Sequence, residues 1–296
     1  MPHHHPMTGS PMTGSAEVLS NEPLSADVHR LVLRAPRIAE AGRPGQFVIV
    51  HLGDGAERIP LTIAERHPID GSIVLVVQAI GKSTRDLVAL APGEYVHDIA
   101  GPLGRPSDLI ADGTAICVAG GVGAAVVYPI ASELARLGAR VVTVLGARTA
   151  GAIVYGDEFA ALGEVILCTD DGSAGRQGFV TDALADLLGG PPDHPGLARD
   201  DVVVYAAGPV PMMRAVAEVT RPHGVRTIAS LNPIMVDGTG MCGGCRVTVH
   251  GEMKFACVDG PEFDAHGVDF TELADRLGTY RSEERVALDH SRRVMP

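Results

Sequence analysis

"GTAICVAGGVGAAVVYPIASELARLG", residues 113–138, is where the periodicity of the chain changes. A run of small and β-branched residues from Thr114 to Ala119 reads as a strand buried on both faces, and the helical stretch that follows closes at Gly138. Gly120, Gly121 and Gly123 lie between the two. Glycines there let a diphosphate approach backbone N–H groups at the positive end of a helix. The stretch departs from the full dinucleotide fingerprint, because Val126 stands where its third glycine would be, and a tight strand-to-helix turn in any α/β protein also uses such glycines.

Downstream, "ARVVTVLGA", "EVILCTDD", "TDALADLL", "DVVVYAAGP", "VPMMRAVAEVTRPHG" and "VRTIASL" continue the alternation of strand and helix. This predicts a doubly wound parallel sheet with right-handed crossovers over residues 105–230. Upstream, residues 16–104 are short alternating segments such as "HRLVLRAP", "QFVIVHL" and "SIVLVVQAI", separated by Gly, Pro and Asp turns, the pattern of a small antiparallel β barrel. Residues 231–268 return to Gly-rich turns. "DFTELADRLG" opens a C-terminal helix and tail over 269–296. The first 15 residues, with three histidines among Pro, Gly and Ser, read as a disordered tail rather than a metal site.

Composition narrows the function. A chain of 296 residues that is 46% hydrophobic has room for two domains and a smaller third. A net charge of -12 argues against nucleic acid, whose phosphates call for clustered Lys and Arg. No apolar run reaches the roughly 18 residues of a membrane span, and the N-terminus lacks the regions of a signal peptide. The expected location is cytoplasmic, with no membrane partner.

The chain has five cysteines, too few for a disulfide framework. Cys117 and Cys168 fall inside apolar strand runs and read as core. The others form Asp237-x4-Cys242-x2-Cys245-x11-Cys257, the plant-type [2Fe-2S] spacing with Asp in the first position. Thiolates suit iron, and a tight glycine loop lets several ligands converge on one small cluster. A structural zinc held by three Cys and one Asp, or a CxxC thiol pair, competes with that reading. Zinc sites usually present two spaced pairs, and a thiol pair leaves Cys257 without a role.

Two further segments offer anion contacts. "AIGKSTRDL" imitates a P-loop but has Val76 where the motif needs its first glycine. What remains is a glycine turn with Ser83 and Thr84 as helix caps, whose N-terminus could still hold an anion. In "ERIPLTIAE", Arg58 reads either as a solvated strand charge or as a guanidinium able to pair bidentately with a pyrophosphate.

Taken in order, "RIPLTI", "GKST", "GPLG" at Gly101–Gly104, "AGGVGAA" and "AAGPVPMM" resemble the ferredoxin-NADP reductase superfamily over nearly the whole chain. The resemblance implies an FAD-binding barrel, an NAD(P)-binding domain and a small C-terminal iron-sulfur loop domain. Arg58, Pro60, Leu61 and Thr62 would then hold the flavin and its pyrophosphate, with Thr62 at the flavin's reactive edge. Gly81, Ser83 and Thr84 would hold FAD phosphates. Gly120, Gly121 and Gly123 would cradle the nicotinamide dinucleotide, with Gly208, Pro209 and Met212 near its nicotinamide half. No catalytic acid–base pair is expected, because the cofactors carry the chemistry.

A reductase core with a C-terminal [2Fe-2S] loop is similar to the electron-transfer subunits of dihydroorotate dehydrogenase. It also resembles the small subunits of NADH-dependent ferredoxin-NADP oxidoreductase, or sulfide dehydrogenase. Asp rather than Cys at 237 favours the second group. That resemblance implies a glutamate-synthase-small-subunit-like flavoprotein as partner and, through it, ferredoxin. NADP-specific relatives carry Ser and Arg after the third strand of the nucleotide domain. Asp170 and Asp171 stand there instead and would repel a 2'-phosphate while accepting from a ribose hydroxyl, so NADH is favoured over NADPH. Arg148 is the opposing signal. A non-catalytic redox sensor with the same fold is the alternative, and it would need neither nucleotide site.

Overall fold

The computed structural model describes residues 14–110, 113–189 and 202–294. All of the expected N-terminal tail but Gly14 and Ser15 lies outside them. Strands β1 (Ala16–Pro23), β2 (Val28–Arg34), β3 (Phe47–His51), β4 (Arg58–Thr62), β5 (Glu65–His67), β6 (Ser72–Gln78), β7 (Tyr95–Val96) and β8 (Asp98–Leu103) form the first unit, with short helices α1 (Pro36–Ala41) and α2 (Lys82–Val88). They pair as two antiparallel sheets, β5-β6-β2-β1-β7 and β4-β3-β8, around a core of Val18, Leu31, Leu33, Val48, Val50, Ile73 and Leu75.

Strand β6 is apolar at nearly every position instead of alternating. The reason is that Ile73, Leu75 and Val77 fill the barrel, while Val76, with Val28 and Ala64, packs into the core of the next unit. The same face carries a polar clamp. The Arg30 guanidinium forks onto Glu65 at 3.1–3.2 Å, and Tyr155 Oη of the second unit donates to Glu65 Oε1 at 2.7 Å. Tyr155 takes left-handed backbone angles, φ 62, and is buried.

The second unit contains β9 (Thr114–Gly120), α3 (Gly123–Arg136), β10 (Arg140–Ala147), α4 (Gly156–Ala160), β11 (Glu164–Thr169), β12 (Arg176–Gln177), α5 (Val180–Gly189), β13 (Val202–Ala207), α6 (Val210–Thr220) and β14 (Arg226–Ser230). Its strands run parallel in the order β12-β11-β10-β9-β13-β14, as the alternation of periods predicts. Cys117 and Cys168 are buried in it, and burial pushes the Cys117 thiol up to about 12.

The C-terminal segment holds the hairpin β15 (Arg246–Val249) and β16 (Glu252–Phe255), helix α7 (Ala256–Asp259), β17 (Glu262–Asp264) and α8 (Phe270–Leu277), whose N-terminus is capped by Asp269. Strand β17 joins the nucleotide sheet as its antiparallel edge, pairing Ser230 with Glu262 and Ile228 with Asp264. A last helix, α9 (Arg281–Val294), occupies most of what reads as tail in the sequence and lies against α2. The connection between the first two units is stitched to the third: Arg105 N donates to Gly260 O at 2.6 Å, and Ser107 Oγ donates to Glu262 Oε1 at 2.8 Å. Among the described residues no helix is long and apolar enough to cross a membrane.

Candidate functional site

A cleft of about 1160 Å³ opens where the barrel faces the carboxyl ends of the parallel strands. That is where open α/β sheets bind ligands. Pro60, Leu61 and Thr62 of β4 form one wall. Gly120, Gly121 and Gly123 form the floor, and Gly208, Pro209 and Met212 come from the neighbouring strand end.

The three floor glycines serve different ends. A side chain at Gly123 would run into the Ala207 carbonyl oxygen, so this glycine lets α3 pack close to β13 and fills the role of the fingerprint's missing third glycine. Gly121 has φ +55 and only open space around its missing side chain, which leaves the backbone bare towards the cleft. At Gly120 a Cβ would meet Met212 Sδ at 2.6 Å. No side chain caps α3 and no acidic residue lies in its first turn. Its N-terminus is thus free to receive a phosphate.

The barrel-side residues are less uniform. Arg58 is exposed at the start of β4, outside the lining of the cleft. Thr84 lines the cleft, and its Oγ1 accepts from the backbone N–H of Gly81 at 3.0 Å and of Ile80 at 3.1 Å, which closes the turn before α2. Ser83 is buried and donates to Glu57 Oε2 at 2.7 Å, so its hydroxyl already has a partner.

At the far end, Asp170 and Arg148 both border the cleft. Asp171 turns away: its carboxylate accepts from Ser173 Oγ at 2.6 Å and Ser173 N at 3.0 Å, bonds that hold it below the usual carboxylate range. Sequence reasoning overlooks Ser25, Asp27 and Gln78 of the barrel, Phe179 after β12, and Leu231, Asn232 and Met235 after β14. Apart from Gln78, the last residue of β6, they come from turns with no periodic signal; only the Asn-Pro pair at 232–233 marks a turn locally.

In the loop after β14, Gly238, Gly240 and Gly243 all have φ between +67 and +83, which curls the chain around Cys242 and Cys245. Asp237 accepts from Thr239 N at 2.9 Å and Cys242 N at 2.8 Å, and these bonds, the first above all, hold its carboxyl below its ordinary value. Cys245 and Cys257 are buried with sulfurs 3.1 Å apart. Sulfurs also accept from the backbone: Gly244 N to Cys242 and Cys257 N to Cys245, both at 3.4 Å.

Among the described residues no three His, Cys, Asp or Glu side chains converge as a site for a single ion. Cys245 and Cys257 bring their sulfurs together, and Asp237 is tied to the backbone N–H of Cys242; four donors spread over two such places suit a cluster of two irons rather than a single ion. The pre-aimed N–H groups suit thiolate sulfurs. Each Asp237 oxygen takes one amide and keeps lone-pair capacity for a metal. The donor set fits a [2Fe-2S] cluster better than one zinc.

A barrel and a parallel sheet meeting at a nucleotide cleft, followed by a cysteine loop, define a reductase-type electron-transfer protein. Residues 117–218 match the family described as "Oxidoreductase NAD-binding domain", and residues 232–269 match "Iron-sulfur cluster binding domain of dihydroorotate dehydrogenase B". The chain belongs to the family of dihydroorotate dehydrogenase B electron-transfer subunits and their homologues. It is 44% identical over 280 residues to the "electron transfer subunit homolog" of Thermotoga maritima, covering 94% of this chain and 96% of the relative. It is 37% identical over 257 residues to the dihydroorotate dehydrogenase B (NAD(+)) electron-transfer subunit of Geobacillus thermodenitrificans, covering 84% and 95%. Among solved structures, one described as NADH-dependent reduced ferredoxin-NADP oxidoreductase superposes with a TM-score of 0.87 at 41% identity, covering 96% of this chain and 99% of the other.

Proposed function

We propose that this chain receives a hydride from NADH at the cleft and delivers the electrons singly, through FAD and a [2Fe-2S] cluster, to a partner subunit. The observation that carries the reading is one continuous apolar core. Phe47, Leu231 and Met235 line the cleft and pack in the same cluster as Cys245 and Cys257. Cleft and cysteine loop are thereby joined by dry protein. When bound, FAD and the cluster supply the conversion of a two-electron hydride into single electrons.

The residues divide the work. Arg58 clamps the flavin pyrophosphate, Pro60, Leu61 and Thr62 present backbone and a hydroxyl to its ring, and the Gly81 turn with Ser83 and Thr84 borders its phosphates. Gly120, Gly121 and Gly123 receive the dinucleotide phosphates at the start of α3. Gly208, Pro209 and Met212 bound the nicotinamide half. Asp170 disfavours a 2'-phosphate and Asp171 adds charge behind it, which makes NADH the donor rather than NADPH. Asp237, Cys242, Cys245 and Cys257 hold the cluster.

Cys242 is exposed, and Met241, Val236 and Val258 around it are 89%, 48% and 41% exposed. Such apolar exposure beside a redox centre suits a partner that must come close. The partner is a glutamate-synthase-small-subunit-like flavoprotein, passing electrons to or from ferredoxin in the cytoplasm. The carboxylate at 237 and the 0.87 superposition support the ferredoxin-NADP oxidoreductase type. The similarity to the Thermotoga maritima homologue favours a second reading, transfer to a dihydroorotate dehydrogenase catalytic subunit. The test is the visible spectrum of the anaerobically purified chain. Flavin bands with a cluster shoulder, bleached by NADH, are expected; a protein still colourless after reconstitution with iron, sulfide and FAD refutes the proposal.

A further inference from the structure

We infer that Arg276 is a positioning residue for the iron-sulfur cluster, one whose unpaired positive charge raises the potential at which the cluster takes up its electron. This role rests on the reading of Asp237, Cys242, Cys245 and Cys257 as the ligand set, and it belongs to a side chain outside that set. Arg276 stands in the last turn of α8 and is partly buried. Its Nη2 donates to Gly244 O at 3.0 Å, across 32 residues of sequence.

Helix α8 delivers the guanidinium to the loop through its own packing. Phe270, Leu273 and Leu277 lie in the apolar cluster that also holds Cys245 and Cys257, so helix and ligands share one core. Gly244 is held at both of its polar groups: its N–H donates to Cys242 Sγ at 3.4 Å, and its carbonyl accepts from Arg276. The brace thus falls between Cys242 and Cys245. Side chains placed behind metal ligands in this way orient them and tune the metal.

Two features separate this arginine from an ordinary surface cation. Among the described residues no carboxylate pairs with it. Lys254, by contrast, is paired with Glu252 at 2.6 Å and Arg105 with Asp259 at 3.6 Å, so their charges are largely cancelled on the spot. Arg246 lies against Gly243 without a carboxylate partner too, but it is exposed, where water and salt screen it. The second feature is that Arg276 Nε is buried with no hydrogen-bond partner. A buried donor without an acceptor is costly, and an anionic group held by this loop offsets that cost.

The sign of the effect follows from charge. Two ferric ions and two sulfides held by three thiolates and a carboxylate are net negative, and reduction adds one more negative charge. A cation fixed beside the ligand loop therefore favours the reduced form. The carboxylate ligand at 237 pushes in the same direction, since it donates less electron density than a thiolate.

The test is an anaerobic redox titration of the full-length holoprotein, with the reduced cluster followed by its electron paramagnetic resonance signal and with iron and sulfide counted per chain. Arg276→Met keeps the apolar stem and removes the charge. It should lower the equilibrium constant for cluster reduction by about 3- to 20-fold, roughly 30–80 mV for one electron. Arg276→Lys keeps the charge without the fork and should stay near the parent. A parent-like potential in Arg276→Met overturns the role, and so does an equal drop in Arg276→Lys, which would make the contact and not the charge the cause. If Arg276→Met does not retain its cluster, Arg276→Lys decides: a full cluster at the parent potential supports the role, and a lowered potential or a lost cluster overturns it. An unmodified protein that takes up no [2Fe-2S] cluster would overturn instead the reading of the ligand loop.

Discussion

The sulfurs of Cys245 and Cys257 lie 3.1 Å apart although eleven residues separate them, because the β15–β16 hairpin returns α7 to the glycine loop. Asp237, which accepts from the backbone N–H of Cys242 at 2.8 Å, is the only oxygen donor of the proposed ligand set. A carboxylate donates less electron density to iron than a thiolate does. Asp237→Cys should therefore keep the cluster and lower its midpoint potential, read by redox titration of the visible spectrum. An Asp237→Ala protein with the parent's spectrum and potential would remove Asp237 from the ligand set.

Arg58 is exposed, so removing it leaves the barrel core untouched. A lost bidentate phosphate contact costs about 2–4 kcal/mol, or roughly 30- to 1000-fold in affinity. Arg58→Ala should purify folded and largely free of FAD, measured by flavin released per chain. Full occupancy would reject the clamp.

Gly123→Ala directs a methyl at the Ala207 carbonyl, which β13 holds in the sheet. Helix α3 must shift, at a cost of about 1–3 kcal/mol. The denaturation midpoint should fall and the KM for NADH should rise together. A variant with both values unchanged would show that the α3–β13 contact is slack.

Burial pushes the Glu262 carboxyl up to about 7, with Ser107 partly offsetting it, while its Oε2 is buried without a partner. Near pH 4 both folded and unfolded chains hold this proton. Between about 4.5 and 7 only the folded chain does, so stability falls as pH rises; above 7 both are ionised and the penalty is constant. Wild type minus Glu262→Gln, measured by chemical denaturation at pH 5 and pH 8, should therefore drop by about 2–3 kcal/mol. No difference would mean that the carboxyl is solvated.

Much of the fold is legible in the sequence, and for a physical reason. The sheet announces itself in "TAICVAG" because strands buried on both faces need an unbroken apolar run, and the cysteine spacing is short enough to be a local pattern. The misses are long-range. That Ser83 is committed to Glu57 depends on a contact between a strand turn and a helix 26 residues apart. The cleft's Asp27 and Gln78 meet 51 residues apart. Helix α9 lacks an apolar stripe of its own, since most of its described side chains are exposed, so periodicity has little to register. The strand β17 is three residues long and becomes a strand only because β14 lies beside it.

That borrowed strand has a consequence for how the chain can be divided. Without residues 261–265 the β14 edge, Arg226–Ser230, would present unpaired N–H and C=O groups as a template for other chains. A reductase core cut off before the cysteine loop would therefore be prone to self-association, even though every residue proposed to hold FAD and NADH, Met212 being the last of them, would still be present. The iron-sulfur segment is the edge guard of the nucleotide sheet.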